Sequence, residues 1–292
     1  MENQEQKIVA TPQMTSVSAI TQNPAVVKRF SDILGKKSAG FISSLVSLSK
    51  TPALAKAEPN TIVASALVAA TLDLPIVPTL GFAAIVPFYD SKKRQTLASF
   101  QVMTKGLIQL SQRSGQYKTI NVAAVYEGDI KSYNRFTGEI EFNTDNNPDL
   151  TKAPIGQLGP IGYVAYMSLT NGFEKYFYMT IDELKNHGLR YSQTYRKGYG
   201  LWKDNFDAMA RKTVLKLLLS KFGPLSVDTQ MTLALQADQA AIRMESISDT
   251  EIADATMEYV DNVDEVVVDE ETTKKVAEKF DGFNDDFLQP QK

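Results

Sequence analysis

The dipeptide Asn171-Gly172 constrains the chain more than any other feature. A tight reversal between two strands needs residues that bend the backbone at little cost, and Asn followed by Gly is the strongest short hairpin signal. The runs on either side, Ile161–Thr170 and Phe173–Met179, are β-like, so they pair antiparallel with each other. Phe82–Phe88 and Leu97–Val102 flank the charged turn Ser91-Lys92-Lys93-Arg94 and read as a second hairpin, with Pro87 confining the first run to an edge. Asp129–Phe136 and Glu139–Phe142 flank Thr137-Gly138 as a third. Tyr117–Tyr126 is a further β-like run.

Helices surround these hairpins. Asn23-Pro24 reads as an N-cap with Pro at the first helical position of Ala25–Leu34. Ala39–Leu48 follows, then Thr61–Leu72, capped by Asn60 and apolar on nearly all sides, hence buried. Met103–Ser114 has helical spacing and ends at Gly115. Thr180-Ile-Asp-Glu183 is a capping box for a short helix that ends at Gly188. Residues 189–202 read as a polar, aromatic loop, Lys203–Phe222 as a long helix stopped by Gly223-Pro224, and Asp228–Glu245 as an amphipathic helix. Helices, then hairpins, then helices argue for an α+β fold rather than a βαβ crossover. The organisation expected is a disordered arm over 1–22, one domain over 23–245 and an acidic flexible tail over 246–292.

Composition removes whole classes of chemistry. There is no cysteine and a single histidine, His187, so disulfides, thiolate sites, multi-histidine metal centres and histidine relays are excluded. No apolar run reaches the ~18–20 residues a membrane helix needs, and the first thirty residues lack a secretory pattern. A cytoplasmic protein without membrane contact is expected. No G-x-x-x-x-G-K-[ST] occurs, which argues against ATP-driven strand exchange. Gly198-Tyr-Gly200 lacks the third glycine of a dinucleotide fingerprint, and no cofactor or metal is expected.

The net charge of −3 conceals an uneven distribution. Residues 28–221 carry 25 Lys+Arg against 15 Asp+Glu, whereas residues 222–292 carry 5 against 17. A basic body points to a polyanionic partner. The sharpest local signal is Arg190, Tyr191, Tyr195, Arg196, Lys197, Tyr199, Trp202 and Lys203 within fourteen residues. Cations neutralise phosphates while aromatic faces stack on bases of any sequence. On the helix that follows, Phe206, Ala210, Val214, Leu217 and Leu218 form an apolar face. Lys212 and Lys216 fall on the opposite face, with Arg211 near the boundary. A solvated amphipathic helix beside a tyrosine-rich loop accounts for the same pattern. Lys92, Lys93 and Arg94 share one turn, Lys105 and Arg113 lie on one side of a helix, and Lys118 follows it.

Longer stretches carry a resemblance. They are residues 62–90 (IVASALVAATLDLPIVPTLGFAAIVPFYD), 100–115 (FQVMTKGLIQLSQRSG), 122–129 (VAAVYEGD) and 202–226 (WKDNFDAMARKTVLKLLLSKFGPLS). Over about residues 25–245 the chain resembles the RecT family of phage single-strand annealing proteins. Trp202, Phe206, Met209, Ala210, Lys212, Thr213 and Pro224 match its W-x-x-x-F-x-x-M-A-x-K-T…P pattern. Asp73 stands where a glycine is expected.

The resemblance implies a β-β-β-α-type annealing core with hairpins, flanked by N-terminal and C-terminal helices. It implies a non-enzymatic protein that binds single-stranded DNA and the annealed duplex, and anneals complementary strands without ATP in phage-type homologous recombination. A homo-oligomer, ring or helical filament, is expected, together with a phage exonuclease and the host single-strand binding protein as partners. Arg211 and Lys212 are the foremost DNA ligands by position. Lys105, Arg113, Lys118, Lys216 and the Arg190–Lys203 segment with its Tyr191, Tyr195, Arg196, Lys197 and Trp202 follow. Met209 and Phe206 match the pattern equally, but their helix face assigns them to the core. The alternative is a metal-dependent nuclease using Glu139, Glu141 or Asp145.

Overall fold

The computed structural model describes residues 16–91, 93–145, 159–225, 229–238, 240–244 and 255–259; for 229, 240–244 and 255–259 it describes the backbone alone. Helices lead the chain: α1 (Val17–Ile20), α2 (Pro24–Leu34), α3 (Ser38–Ser49) and α4 (Pro59–Thr71). The Asn23 side chain accepts the Ala25 N–H at 2.8 Å, with Pro24 opening α2 as expected. α4 is buried around most of its circumference, through Ile62, Val63, Ala66 and Ala69, although Glu58 rather than Asn60 occupies its cap position. α1 departs from the disordered arm expected over 1–22. Ser16 caps it, and Val17 and Ile20 are buried in the main core. The remainder of that arm lies outside the described residues.

Among the described residues, three antiparallel sheets follow. β1 (Ala83–Asp90) and β2 (Gln95–Val102) pair from Ala83↔Val102 to Asp90↔Gln95, and Pro87 sits on the edge strand where its missing N–H costs nothing. α5 (Thr104–Ser114) ends at Gly115 in the left-handed conformation. β3 (Tyr117–Val125), β6 (Gly162–Leu169) and β7 (Glu174–Thr180) form a second sheet in the order β3-β6-β7. β4 (Ile130–Asn134) and β5 (Glu139–Phe142) form a separate hairpin. Alternation along β6 sends Tyr163, Ala165, Met167 and Leu169 to the core.

The C-terminal half places the candidate site. The Thr180/Glu183 capping box opens α6 (Ile181–Tyr191), which runs past Gly188 instead of stopping there. The stretch expected as loop contains two short helices, α7 (Gln193–Arg196) and α8 (Leu201–Asp204). Asn205 breaks the helix expected from Lys203; its side chain accepts the Ala208 N–H at 3.3 Å and starts α9 (Phe206–Phe222). α9 packs on the β3-β6-β7 sheet on one side and meets α5 on another.

The helix expected over Asp228–Glu245 is shorter. α10 (Thr229–Ala237) gives way to β8 (Ala240–Met244), which joins β2 at Phe100↔Ala240 and carries β9 (Ala255–Tyr259) on its other side. The Asp238 carboxylate accepts the Val102 N–H at 3.0 Å, docking the chain beside β2 where the helix ends. β9 thus falls inside the stretch expected as tail, the rest of which lies outside the described residues.

Candidate nucleic-acid interface

A trough of about 280 Å³ opens between the β1–β2 hairpin and the α7–α8 segment. Val86, Pro87, Phe88 and Tyr89 form one wall, Ser99 and Gln101 of β2 lie beside them, and Thr194, Lys197, Tyr199, Leu201 and Trp202 form the other. Tyr89 and Tyr199 are 57% and 53% exposed, so each offers an open ring face. Exposed Lys93 and Arg94 sit in the turn that continues β1, and exposed Arg196 and Lys203 flank the opposite wall.

Two glycines shape the second wall. Gly200 has φ +91, and a Cβ there would meet Thr194 Oγ1 at 2.7 Å, so the chain folds back tightly after Tyr199. Gly188 lies under the indole: a Cβ there would meet Trp202 Cδ2 and Tyr195 Cδ1 at 3.0 Å. Trp202 is 6% exposed, in an aromatic nest with Tyr195 at 5.9 Å, Phe206 at 5.7 Å and His187 at 6.2 Å between ring centroids. Its accessible edge lines the trough while most of the ring supports α7 and α8. Burial, with Lys216 and Arg190 nearby, lowers the His187 pKa to about 4. The ring is therefore neutral near pH 7.

The expected cations do not share one surface. Lys197 and Trp202 line the trough, with Arg196 and Lys203 next to them. Tyr191 and Tyr195 are half-buried beneath this wall, and Arg190 is exposed with its guanidinium 5.4 Å from the Tyr191 ring. Lys105, at the start of α5, and Lys118, on β3, are exposed but do not line the trough. Arg113 instead donates to the Leu72 and Asp73 carbonyls at 2.9 and 3.0 Å. Arg211 donates to Asp207 at 2.8 Å and to the Val122 carbonyl at 3.1 Å, and Tyr163 donates to the same carboxylate at 2.9 Å. The Arg211 hydrogen bond holds the Asp207 carboxyl below its ordinary pKa, while burial and Asp207 push the Tyr163 phenol up.

Lys212 corrects the helix-face reading most directly. It is 3% exposed, on the inside of α9 rather than on a basic outer face. Its Nζ donates to Asp238 Oδ1 at 3.1 Å and to Gln101 Oε1 at 3.3 Å. Lys216 Nζ reaches Asp238 Oδ2 at 2.6 Å. The reason is that α9 is buried on two sides: Met209, Ala210, Thr213, Val214, Leu215, Leu218 and Leu219 are all covered. Leu217, assigned to the apolar face, is only half-buried. An ammonium can enter this interior because a fully buried carboxylate meets it. Through Gln101, Lys212 underlies the trough floor.

Sequence reasoning passed over Tyr89, whose one available signal was an aromatic followed by Asp90 at the end of an edge strand. Of the carboxylates considered for a metal, Glu139 accepts the Thr137 hydroxyl and Glu141 faces Lys131 at 3.8 Å. Among the described residues no group of three or more His, Asp or Glu side chains is placed to hold a metal ion, and no helix is long and apolar enough to cross a membrane.

The sequence pattern that defines the RecT family matches residues 39–254, from α3 to the residue before β9. The chain belongs to the RecT family. This RecT-family chain is 36% identical over 283 residues to the protein YqaK of Bacillus subtilis (strain 168), covering 97% of the chain and 92% of YqaK. It is 25% identical over 219 residues to Protein RecT of Escherichia coli (strain K12), covering 74% and 76%. Membership supports a role in single-strand annealing during recombination. All the trough-lining residues fall within the family match.

Proposed function

We propose that this RecT-family protein binds single-stranded DNA along the trough between β1 and α7–α8 and anneals complementary strands without ATP, in phage-type recombination in the cytoplasm. The observation that carries this reading is the pair of open rings, Tyr89 and Tyr199, on opposite walls with Lys197 between Tyr199 and α7. Bases stack on such faces without regard to sequence, and cations at Lys93, Arg94, Arg196, Lys197 and Lys203 take the phosphates. Lys105, Lys118 and Arg190 extend the basic track outside the trough. Arg113, Arg211, Lys212 and Lys216 serve the fold that holds it, because their donors are already directed at internal acceptors. The protein acts as an oligomer, and the acidic stretch beyond β9 is its dock for an exonuclease or a single-strand binding protein.

Labelled complementary strands mixed with the protein and Mg²⁺, without nucleotide, test the reading. Duplex gained with no strand loss is expected. Shortened strands, or pairing that requires ATP, overturn it.

A further inference from the structure

The tip of the β4–β5 hairpin presents Phe136 at 85% exposure. Single exposed aromatics are ordinary, but this one is held outward by a built turn. Asn134 Oδ1 accepts the N–H groups of Phe136 and Thr137 at 3.0 and 3.4 Å, and the Asn134 carbonyl accepts the Gly138 N–H at 2.7 Å. Gly138 takes φ +72, Lys175 donates to the Thr137 carbonyl, and the Arg135 guanidinium stands 4.7 Å over the Phe136 ring. A ring fixed in this way loses little entropy on docking.

Elsewhere on the chain is a cavity of about 460 Å³ between α2–α3, the segment after α4, and α5. Its apolar lining includes Leu34, Phe41, Leu74 and Ile76, and its rim carries Lys37, Asp73 and Arg113. Asp73 holds φ +47, bonded by Lys37 at 3.1 Å, and its side chain stays half-exposed. The cavity can take an aromatic ring, and its rim carries two cations, Lys37 and Arg113, against the one carboxylate of Asp73 that both approach, an excess of positive charge that suits Glu139 beside the knob.

We propose that Phe136 of one copy docks into this cavity of a second copy. The hairpin packs on β7, whereas the cavity is walled by α2, α3 and α5, so the two surfaces are unlike. A contact between unlike surfaces is head-to-tail, and it propagates into a ring or an open filament. The proposal rests on the reading of the protein as an oligomeric annealing protein and supplies the contact that builds the oligomer.

Light scattering on the full chain, with and without an oligo-dT strand, tests it. Phe136→Ala should raise the concentration at half-assembly at least about thirtyfold, the scale of a hot-spot truncation, and Phe136→Leu should recover part of the loss. Because the chain has no cysteine, Ser44→Cys with Thr137→Cys offers a second readout. A short bis-maleimide should then give a ladder of multimers, and either single variant should give none beyond the dimer. A Phe136→Ala protein that assembles as before, a doubly substituted protein without a ladder, or a chain that stays monomeric in all conditions overturns the proposal. Fluorescence anisotropy with the same strand separates the two readings. Binding that survives with assembly unchanged in Phe136→Ala defeats the contact alone, and absent binding defeats the DNA reading.

Discussion

Lys212 shows how much a residue's role depends on what surrounds it. By motif position it is a foremost phosphate ligand; in the fold it is 3% exposed and bonded to a carboxylate with no exposure at all. Removing one member of such a pair leaves a buried charge, at a cost of about 3 kcal/mol here, the lower end for buried pairs because Lys216 remains. Lys212→Ala should therefore lower the urea midpoint strongly while leaving the salt slope of DNA binding unchanged. Lys197→Ala should do the reverse, reducing the log–log salt slope by about 0.7 with little effect on stability. His187 supplies a pH signature. Its folded pKa is about 4, against about 6.5 in an unfolded chain, so between those values the unfolded state holds a proton that the folded state does not. Stability from this group is present above pH ~6.5 and falls as pH drops toward 4, levelling off below. Thermal midpoints measured across that window should fall less steeply for His187→Gln than for the parent chain.

At the scale of elements, the trough exists because α6 carries a glycine where α8 lays an indole across it. Alanine is the better helix former in isolation, yet at position 188 its methyl would sit 3.0 Å from Trp202 and Tyr195. Gly188→Ala should push Trp202 outward. Its emission, the only tryptophan signal in the chain, should move to longer wavelength, and single-strand affinity should drop even though residue 188 is buried within the fold. An unmoved spectrum with normal affinity would show that α8 tolerates the methyl. The rings of the trough itself behave differently: Tyr89→Ala and Tyr199→Ala should each cost about tenfold in affinity, the low end of one base–aromatic stack, without altering the melting temperature.

For the molecule as a whole, the C-terminal stretch has two parts with different consequences. β9 pairs along β8 from Ala240↔Tyr259 to Met244↔Ala255, and β8 is anchored to β2. Truncation after residue 245 removes a strand, so its melting temperature should fall below that of a truncation after residue 259. The shorter cut leaves the sheet intact and removes only acidic sequence. As a partner dock, that sequence leaves DNA affinity alone: the 1–259 protein should bind oligonucleotide equally at 20 and 300 mM salt while recombination in cells is lost. Tighter binding at 20 mM that disappears by 300 mM, as the Debye length contracts, would assign the stretch to competition with DNA for the basic body instead.

The sequence by itself determined the local elements. Asn171-Gly172, Thr137-Gly138 and the 91–94 turn specify hairpins because turn geometry is a property of adjacent residues. The Asn23-Pro24 start and the Thr180/Glu183 box specify helix starts for the same reason. The family pattern, too, was legible in linear order. Tertiary structure decided what neighbours across the chain control. Ala240–Met244 became a strand because β9 pairs along all five of its residues and β2 meets it at Ala240, partners that a helical continuation could not use. α9 has no wet basic face because two sides of it are covered, a fact that periodicity on a single helix does not contain. Tyr89 and Tyr199 lie 110 positions apart in the chain and face one trough only after β1 and the α7–α8 segment pack together. Burial is a property of pairs of elements, so which cations reach solvent and which hold the interior was settled only by packing.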